Sequence, residues 1–208
     1  DAFVVNVHAI AIATGEQLTL AASACEFGYR DSVFKRALRD QLVITAVDLR
    51  LPLQPCVDTR YPALAAQLAE QGITAPTPND VFAAVVAIRT ARLPDPAEIP
   101  NAGSFFKNPI VAAGVAAALK SRHPAMPVFA ADEGSSKLSA AWLIDQCGWK
   151  GHLEGGVGVH ERHALVLVHL GGSTGAELLA LAARIQDSVA GAFGIDLEIE
   201  PRVYGVAS

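Results

Sequence analysis

Four polar clusters in the sequence carry side chains that could bind an anion or move a proton. The first is Tyr29-Arg30-Asp31, which places a guanidinium beside a phenol in a loop that follows Gly28. Arginine binds carboxylates and phosphates through two parallel hydrogen bonds. A surface ion pair between Arg30 and Asp31 is the structural alternative. This cluster is therefore either an anion clamp or an ordinary salt bridge.

The second cluster is Arg89 and Arg92, three residues apart in the last turn of a predicted helix. Cations at this end of a helix complement its dipole, which is a sufficient structural explanation. Binding of an anionic ligand is the functional alternative, and the pattern alone does not choose between the two.

The third cluster lies in residues 101–109, which read NAGSFFKNP. Asn101 to Gly103 is typical of a turn, and Asn108 before Pro109 is typical of a helix N-cap. These assignments give no structural reason for a serine at position 104, directly before Phe105-Phe106-Lys107. We expect its hydroxyl to lie in a cleft from which the two rings exclude water. No glycine follows Ser104 as in the G-x-S-x-G elbow, so a serine hydrolase is poorly supported.

The fourth cluster is Glu200-Pro201-Arg202, on a strand predicted over residues 195–204. Strand periodicity places Glu200 and Arg202 on one face, where a carboxylate and a guanidinium could reach the same cleft. Proline cannot donate to a ladder, which indicates an edge strand or a strand end. A solvated charged face shared with Asp196 and Glu198 is the alternative.

Composition narrows the classes of protein and partner. The 208 residues carry a net charge of −5, which makes nucleic acid an improbable partner, and no apolar run reaches the length of a membrane span. Cys25, Cys56 and Cys147 are far apart and form no CxxC pair, which favours the reducing cytosol. His160 and His163 fall in a predicted hairpin turn and lack partners at ligand spacing, so we expect no metal site.

The elements that would position these clusters are partly specified by local signals. Residues 3–20 predict a hairpin around Thr14-Gly15, and residues 42–53 predict a strand. Thr77, Pro78 and Asp80 predict the start of a helix with a stripe of Val81, Val85 and Ile88. A proline-rich stretch from Leu93 to Pro100 ends that helix and is the best candidate for a domain boundary.

The second half of the chain predicts three further helices. One begins at Asn108-Pro109 and ends near Lys120, and another begins at Ser135-Ser136 and ends at Gly148. A buried strand, ALVLVHL, precedes the third, which has a capping box from Thr174 to Glu177 and ends at Gly194. With residues 195–204 as a strand, residues 164–204 form a predicted strand–helix–strand unit. The class is mixed α and β.

Five segments in this order resemble the UDP-N-acetylenolpyruvylglucosamine reductases, also called UDP-N-acetylmuramate dehydrogenases. They are FGYRDSVFK, VFAAVVAIRTARLPDP, NAGSFFKNP, KLSAAWLIDQCGWKG and LEIEPRVYG, and together they span essentially the whole chain. RYPAL, around Tyr61, resembles the tyrosine-bearing segment of the family's type I branch. The resemblance implies flavoenzymes of peptidoglycan precursor synthesis.

The resemblance implies catalytic roles for three residues. Ser104 matches the serine that protonates the substrate carbon next to the carboxylate, after hydride arrives at the neighbouring carbon. Glu200 and Arg30 match the two groups that polarise the enolpyruvyl group and stabilise its enolate-like intermediate. A cation and a proton-bearing carboxyl group can stabilise negative charge that develops on a carboxylate.

Further positions match binding residues of the family. The residues that the resemblance places at the nucleotide-sugar are Tyr29, Tyr61, Arg92, Asn108 and Lys137. The residues that it places at the flavin are Arg30, Arg89 and Arg202. Two departures are Arg92, where lysine is usual, and His163, where glutamine is usual. His163 is therefore left out of the predicted site.

The resemblance also implies an α+β architecture. Residues 1–93 match the C-terminal part of an FAD-binding domain of the PCMH or vanillyl-alcohol-oxidase type. Residues 94–193 match a smaller α+β substrate-binding domain, and residues 194–208 a strand that returns to the first domain. The start at Asp1 without methionine indicates a fragment that lacks the N-terminal flavin-binding stretch.

The expected function is reduction of UDP-N-acetylglucosamine enolpyruvate by NADPH through FAD, in a cytoplasmic monomer with small-molecule partners. Two alternatives remain open. The chain could bind the UDP-sugar without catalysing its reduction, or it could be a structural domain whose polar clusters are ordinary caps and ion pairs.

Overall fold

The computed structural model describes residues 2–54 and 56–205. The chain divides into two compact units, Asp1–Thr59 and Arg60–Ser208. Every named strand pair in the described residues is antiparallel, and helices accompany the sheets of the second unit. Segregated helices and antiparallel sheets define an α+β protein, as predicted.

The first unit is built on a three-stranded sheet in the order β2-β1-β3. Its strands are β1 (Val4–Ala11), β2 (Gln17–Ala21) and β3 (Leu42–Leu49). The predicted hairpin is confirmed, because β1 pairs with β2 and Gly15 takes φ +74° in the turn between them. A glycine there avoids the Cβ clash of left-handed backbone.

Two short 3₁₀ turns accompany this sheet: Ala22–Cys25 packs against β1 and β2, and Val33–Lys35 packs against the first turn. Val7 and Ala9 of β1 are buried, as are Cys25 and Val33 from the turns. On β3, by contrast, Val43, Ile44, Val47 and Leu49 are 53%, 48%, 46% and 58% exposed. The apolar residues of this strand therefore lie largely outside the core that the unit forms.

The second unit begins with a pair of helices, α1 (Pro62–Glu70) and α2 (Pro78–Arg92). The predicted capping box of α2 is confirmed: the Thr77 hydroxyl accepts from the Asp80 N–H, and the Asp80 carboxylate accepts from the Thr77 N–H. The predicted stripe is corrected at one position. Buried Ala84 packs with Val81 and Ile88, whereas Val85 is exposed.

A four-stranded sheet in the order β4-β10-β9-β8 forms the centre of the second unit. Its strands are β4 (Asn101–Ser104), β8 (Leu153–Glu154), β9 (Val157–Val159) and β10 (Val166–His169). β9 and β10 are antiparallel neighbours. The turn that contains His160 and His163 therefore connects a hairpin, as predicted.

A three-stranded sheet in the order β5-β7-β6 corrects two predicted helix starts. Its strands are β5 (Ile110–Ala112), β6 (Val128–Ala130) and β7 (Ser135–Leu138). Helix α3 (Ala113–Arg122) therefore begins after a strand, and α4 (Ala140–Gln146) is capped by the Ser139 hydroxyl. Strand pairing over more than twenty residues of sequence overrides the local N-cap signals.

The long helix α5 (Gly175–Phe193) has both predicted ends: the Thr174–Glu177 capping box and Gly194 at φ +67°. The strand predicted after it is wrong. Among the described residues, 195–205 contribute one isolated bridge, between Phe106 and Ile199, and no named strand. The predicted strand–helix–strand unit is therefore a strand and a helix followed by a segment whose pairing, as far as it is described, is limited to the bridge at Ile199, and Pro201 cannot donate to a ladder beyond it.

The main core lies between these sheets, α4 and α5, and it corrects the reading of the two phenylalanines. Phe105 and Phe106 are 4% and 1% exposed and belong to the main hydrophobic cluster, with their rings 5.4 Å apart edge to face. They stabilise the fold from inside the core and do not line a cleft.

Two findings concern features that the described residues lack. Within residues 2–54 and 56–205, no helix combines the length and apolarity that crossing a bilayer requires. The same residues include no group of three or more His, Cys, Asp or Glu side chains that could hold a metal ion.

Candidate active site

Ser104 is the last residue of β4 and lies opposite Val166 on the buried strand β10. The turn before it is held by an Asn101 side chain, whose Oδ1 accepts from the Gly103 N–H at 2.9 Å. Gly103 takes φ +69°, a conformation that a residue with a Cβ rarely adopts. Ser104 itself is half-buried. Its hydroxyl is thus positioned by a fixed turn on one side and a core strand on the other.

The segment that carries Glu200 is bonded to the residues directly after Ser104. The Glu200 N–H donates to the Phe105 carbonyl at 2.9 Å, and the Lys107 N–H donates to the Glu198 carbonyl at 2.9 Å. The Lys107 ammonium also pairs with the Glu198 carboxylate. The structure therefore brings the backbone of Ser104 and Glu200, ninety-odd residues apart in sequence, to adjacent segments.

Arg202 lies beyond this attachment and is exposed. Its guanidinium carbon is 4.8 Å from the centroid of the Tyr204 ring, a cation–π distance. Because no strand forms here in the described residues, the argument from strand periodicity that placed Glu200 and Arg202 on one face does not apply.

Asn108 and Lys137 occupy the three-stranded sheet region. The Asn108 Oδ1 accepts from the Ala140 N–H at 3.0 Å, so the asparagine satisfies the first turn of α4 and is not an N-cap of α3. Lys137 lies in register between Ile110 and Phe129, with its Nζ 5.9 Å from the Phe129 ring centroid. Asn108 therefore has a structural role, whatever else its amide binds.

Arg89 and Arg92 lie in the last turn of α2 and are exposed. Burial lowers the pKa of His163 below its ordinary value of 6.5, and the positive charges of Arg92, His160 and Lys150 lower it further. His163 is thus an uncharged neighbour of Arg92 near neutral pH. Its Nδ1 accepts from the Leu165 N–H at 3.3 Å, which fixes the ring in the hairpin turn.

Tyr61 precedes α1, and its carbonyl accepts from the Leu64 and Ala65 N–H groups. Its side chain is 63% exposed. The ring is therefore attached to a fixed helix start and exposed to solvent.

Tyr29 and Arg30 form the tip of a tight turn in the first unit. Gly28 and Asp31 exchange both backbone hydrogen bonds across this tip, and Arg30 takes φ +55°. The Asp31 carboxylate is 3.1 Å from Arg36 Nε, which makes Arg36 an ion-pair partner of Asp31. Left-handed backbone at a residue with a Cβ is uncommon, and Glu26 and Asp40 of the same unit also adopt it.

Arg162 is a residue that the sequence argument missed. Its Nη1 donates to the Ala91 carbonyl of α2 at 3.0 Å, across 71 residues of sequence. A motif search could not have found it, because the contact depends on how the β9–β10 turn meets the helix end and leaves no local pattern.

The site residues of the second unit supply a set of groups suited to anions and proton transfer. They are a hydroxyl at Ser104, a carboxylate at Glu200, guanidinium groups at Arg89, Arg92 and Arg202, and an ammonium at Lys137. Guanidinium and ammonium groups bind phosphates, and hydroxyl and carboxyl groups transfer protons, so these are the chemistries that the residue types offer.

Comparison with known proteins identifies the family. Residues 95–204, just over half of the chain, match the C-terminal domain of UDP-N-acetylenolpyruvoylglucosamine reductase. The chain belongs to the UDP-N-acetylenolpyruvoylglucosamine reductase family.

Curated proteins of that name are similar over most of the chain. The one from Ralstonia nicotianae is 53% identical over 91% of the chain, and the one from Chromobacterium violaceum is 52% identical over 91%. The match covers 55% of each relative, so the chain spans about half of their length.

A crystal structure of UDP-N-acetylenolpyruvylglucosamine reductase (MurB) from Thermus caldophilus has a similar fold. The TM-score is 0.58 at 21% identity, over 98% of this chain and 53% of that one. At this identity the likeness concerns the fold alone.

Proposed function

We propose that the complete protein containing this chain reduces UDP-N-acetylglucosamine enolpyruvate to UDP-N-acetylmuramate in peptidoglycan precursor synthesis. The observation that carries the proposal is the pair of backbone bonds that joins the Glu200 segment to the residues after Ser104. A proton donor and a carboxyl group on adjacent segments are what reduction of an enol ether beside a carboxylate needs. Membership of the reductase family supports the same conclusion.

In this proposal Ser104 delivers a proton to the substrate carbon next to the carboxylate. Hydride reaches the neighbouring carbon, so the double bond is replaced by two new C–H bonds and the lactyl ether results. Glu200 and Arg30 stabilise the negative charge that develops on the substrate carboxylate between these two events. The fixed turn at Gly103 and the core contacts of Phe105 hold the serine in place for this step.

The proposed substrate contacts are the five residues Tyr29, Tyr61, Arg92, Asn108 and Lys137. Arg92 and Lys137 would neutralise the diphosphate or carboxylate of the nucleotide-sugar. Because Asn108 Oδ1 already accepts from Ala140, its Nδ2 donors are the groups left for the ligand.

FAD and NADPH are the proposed cofactors, with NADPH as the reductant and FAD supplying hydride transfer when bound. The donor chemistry of Arg30, Arg89 and Arg202 fits such ligands, because guanidinium groups bind phosphates and stack on flat rings. Arg202 already stacks on Tyr204, and Arg89 lies on an exposed helix end.

The domain assignment is also a proposal. Residues 1–93 would be the C-terminal part of the FAD-binding domain, residues 94–193 the substrate-binding domain, and residues 194–208 the return to the first domain. We further propose that the protein acts in the cytoplasm as a monomer with small-molecule partners, with no nucleic acid and no membrane insertion.

The test uses the full-length gene product, purified and scanned for bound flavin. We expect NADPH oxidation that depends on UDP-N-acetylglucosamine enolpyruvate. Ser104→Ala should abolish reduction of the enol ether and keep reduction of flavin by NADPH, whereas Ser121→Ala, at an exposed serine of α3, should change neither. Equal loss of both half-reactions contradicts the proton-donor role. Protein that binds the UDP-sugar without flavin supports the binding-only alternative.

A further inference from the structure

The contact between Arg162 and Ala91 joins two parts of the second unit that share no core. Ala91 lies in the last turn of α2, where the final carbonyls of a helix have no partner inside it. The Leu93 N–H satisfies the Arg89 carbonyl, and the Arg162 Nη1 satisfies the Ala91 carbonyl at 3.0 Å. The arginine thus acts as a side-chain cap for the helix that carries Arg89 and Arg92.

The packing of helix α2 is slight. It belongs to a small cluster whose buried members are Leu64, Leu68 and Ala84, separate from the main core. Ala84 is the buried residue of α2, and the half-buried Ile88 is the last residue of the helix that packs against this cluster. The helix residues after Ile88, which include both arginines, are exposed, so packing fixes the end of the helix only weakly.

The turn that contains Arg162 is, by contrast, fixed by several hydrogen bonds. The His160 N–H donates to the Val166 carbonyl at 2.9 Å, and the Val166 N–H donates to the His163 carbonyl at 3.0 Å. The Arg162 N–H donates to His160 Nδ1 at 3.3 Å, and His160 is 7% exposed. A guanidinium attached to this turn can hold the end of the helix at a fixed position relative to the main sheet.

We propose that Arg162 is a positioning residue that holds the last turn of α2 so that Arg92 meets its anionic ligand. The inference rests on the proposed function, in which Arg92 contacts the nucleotide-sugar and Arg89 the flavin. Arg162 itself acts through Arg92 and touches no reacting atom. Loss of its hydrogen bond should therefore weaken substrate binding while the proton transfer from Ser104 continues.

The variant that tests this is Arg162→Met, which keeps an apolar stem and removes the donor. In the full-length protein we expect KM for the enol ether to rise about fivefold to tenfold, the order expected for a partly exposed hydrogen bond from a charged donor. We expect kcat to change by less than about twofold. Arg162→Lys, which can still donate to the carbonyl, should restore most of the affinity.

The matched control is Arg122→Met, the same change at an exposed arginine in the last turn of α3. It should leave both KM and kcat unchanged. A double variant with Arg92→Met supplies the decisive comparison, because Arg162→Met should add little once Arg92 is absent. Full additivity, or a KM for Arg162→Met equal to that of the wild type, overturns the inference.

A measurement independent of activity keeps the proposal testable if turnover is lost. Amide exchange at Leu93, whose N–H closes the last turn of α2 on Arg89, should accelerate in Arg162→Met and remain slow in Arg162→Lys. Unchanged exchange in Arg162→Met contradicts the positioning role. An inactive wild type would count against the proposed function, whereas an active wild type with no effect of Arg162→Met counts against this inference alone.

Discussion

Strands β3 and β10 are both rich in branched apolar residues, but their environments are opposite. β3 reads LVITAVDL and β10 reads VLVH. Val166, Leu167 and Val168 of β10 are 0%, 1% and 2% exposed, whereas every residue of β3 after Leu42 is exposed. β10 lies between β4 and β9, and α5 packs against the neighbouring β9, whereas β3 is an edge strand of the first unit. The apolar pattern thus predicts a strand, and the layer packed against it determines burial.

The largest test of this contrast uses two phenylalanines. Phe106→Ala removes a ring that is 1% exposed from the main core, and we expect a loss of about 3–5 kcal/mol of unfolding free energy. Phe82→Ala, at a ring that is 71% exposed on α2, should change it by at most about 0.5 kcal/mol. Urea denaturation followed by fluorescence measures both, and equal losses would contradict the assigned burial.

The same valine-to-alanine substitution on each strand tests the comparison directly. Val166→Ala on β10 should cost about 1.5–3 kcal/mol, since two buried methyl groups are lost and a cavity remains. Val47→Ala on β3 should cost about 0.5 kcal/mol or less, because the side chain is already 46% exposed. A large effect at Val47 in the full-length protein would show that another layer covers β3 there.

The two capping boxes allow the same contrast on helices. Thr174→Ala should cost about 1 kcal/mol of unfolding free energy, because the N-cap acceptor of α5 is lost and α5 packs into the main core. Thr77→Ala should lower the free energy of local opening of α2 by a similar amount. The global unfolding free energy should change less, because α2 packs into the small cluster and not into the main core. Amide exchange separates the local effect from the global one, and an equal shift in both would contradict the separation of the clusters.

The smallest expected effect is a difference in pH dependence. Burial lowers the pKa values of His160 and His163, so the unfolded chain takes up these protons first as pH falls through 6.5, and the second unit loses stability below that value. In the first unit a hydrogen bond from Asn6 lowers the pKa of Asp48. The stability that this ionised carboxylate contributes is therefore lost only as pH falls below 3.8, the ordinary pKa of the group.

Unfolding free energy measured from about pH 7.5 down to about pH 3 checks this order. His163→Gln should flatten the decline below pH 6.5, because the glutamine does not titrate. Asn6→Ala, which removes the hydrogen bond to the Asp48 carboxylate, should leave the decline between about pH 6.5 and about pH 5 intact. A curve unchanged by His163→Gln would contradict the lowered pKa.

Elements with short-range signals could be predicted from sequence, and elements that depend on distant partners could not. The capping boxes of α2 and α5 and the Gly15 turn were predicted correctly, since every group involved lies within a few residues. β5 and β7 were predicted as helix starts, because their pairing partners are too distant for local patterns to show.

The candidate site shows the same division. Ser104 and Glu200 were identified from family motifs, and the structure places their segments side by side. The role of Phe105 and Phe106 was predicted wrongly, because a nine-residue polar context conceals that both rings enter the main core. Arg162 had no signal at all, since its partner Ala91 is a backbone carbonyl and any residue could supply it.

The attachment of Phe105 has a consequence for the freedom of the residue before it. Its N–H bonds to Leu165, its carbonyl accepts from Glu200, and its ring is buried, so the main chain next to Ser104 is immobilised from both directions. The serine oxygen then moves about a single rotatable axis among three staggered positions. Turning a proton toward or away from a ligand thus takes one bond rotation, on the picosecond-to-nanosecond scale of side-chain flips, and no displacement of the sheet.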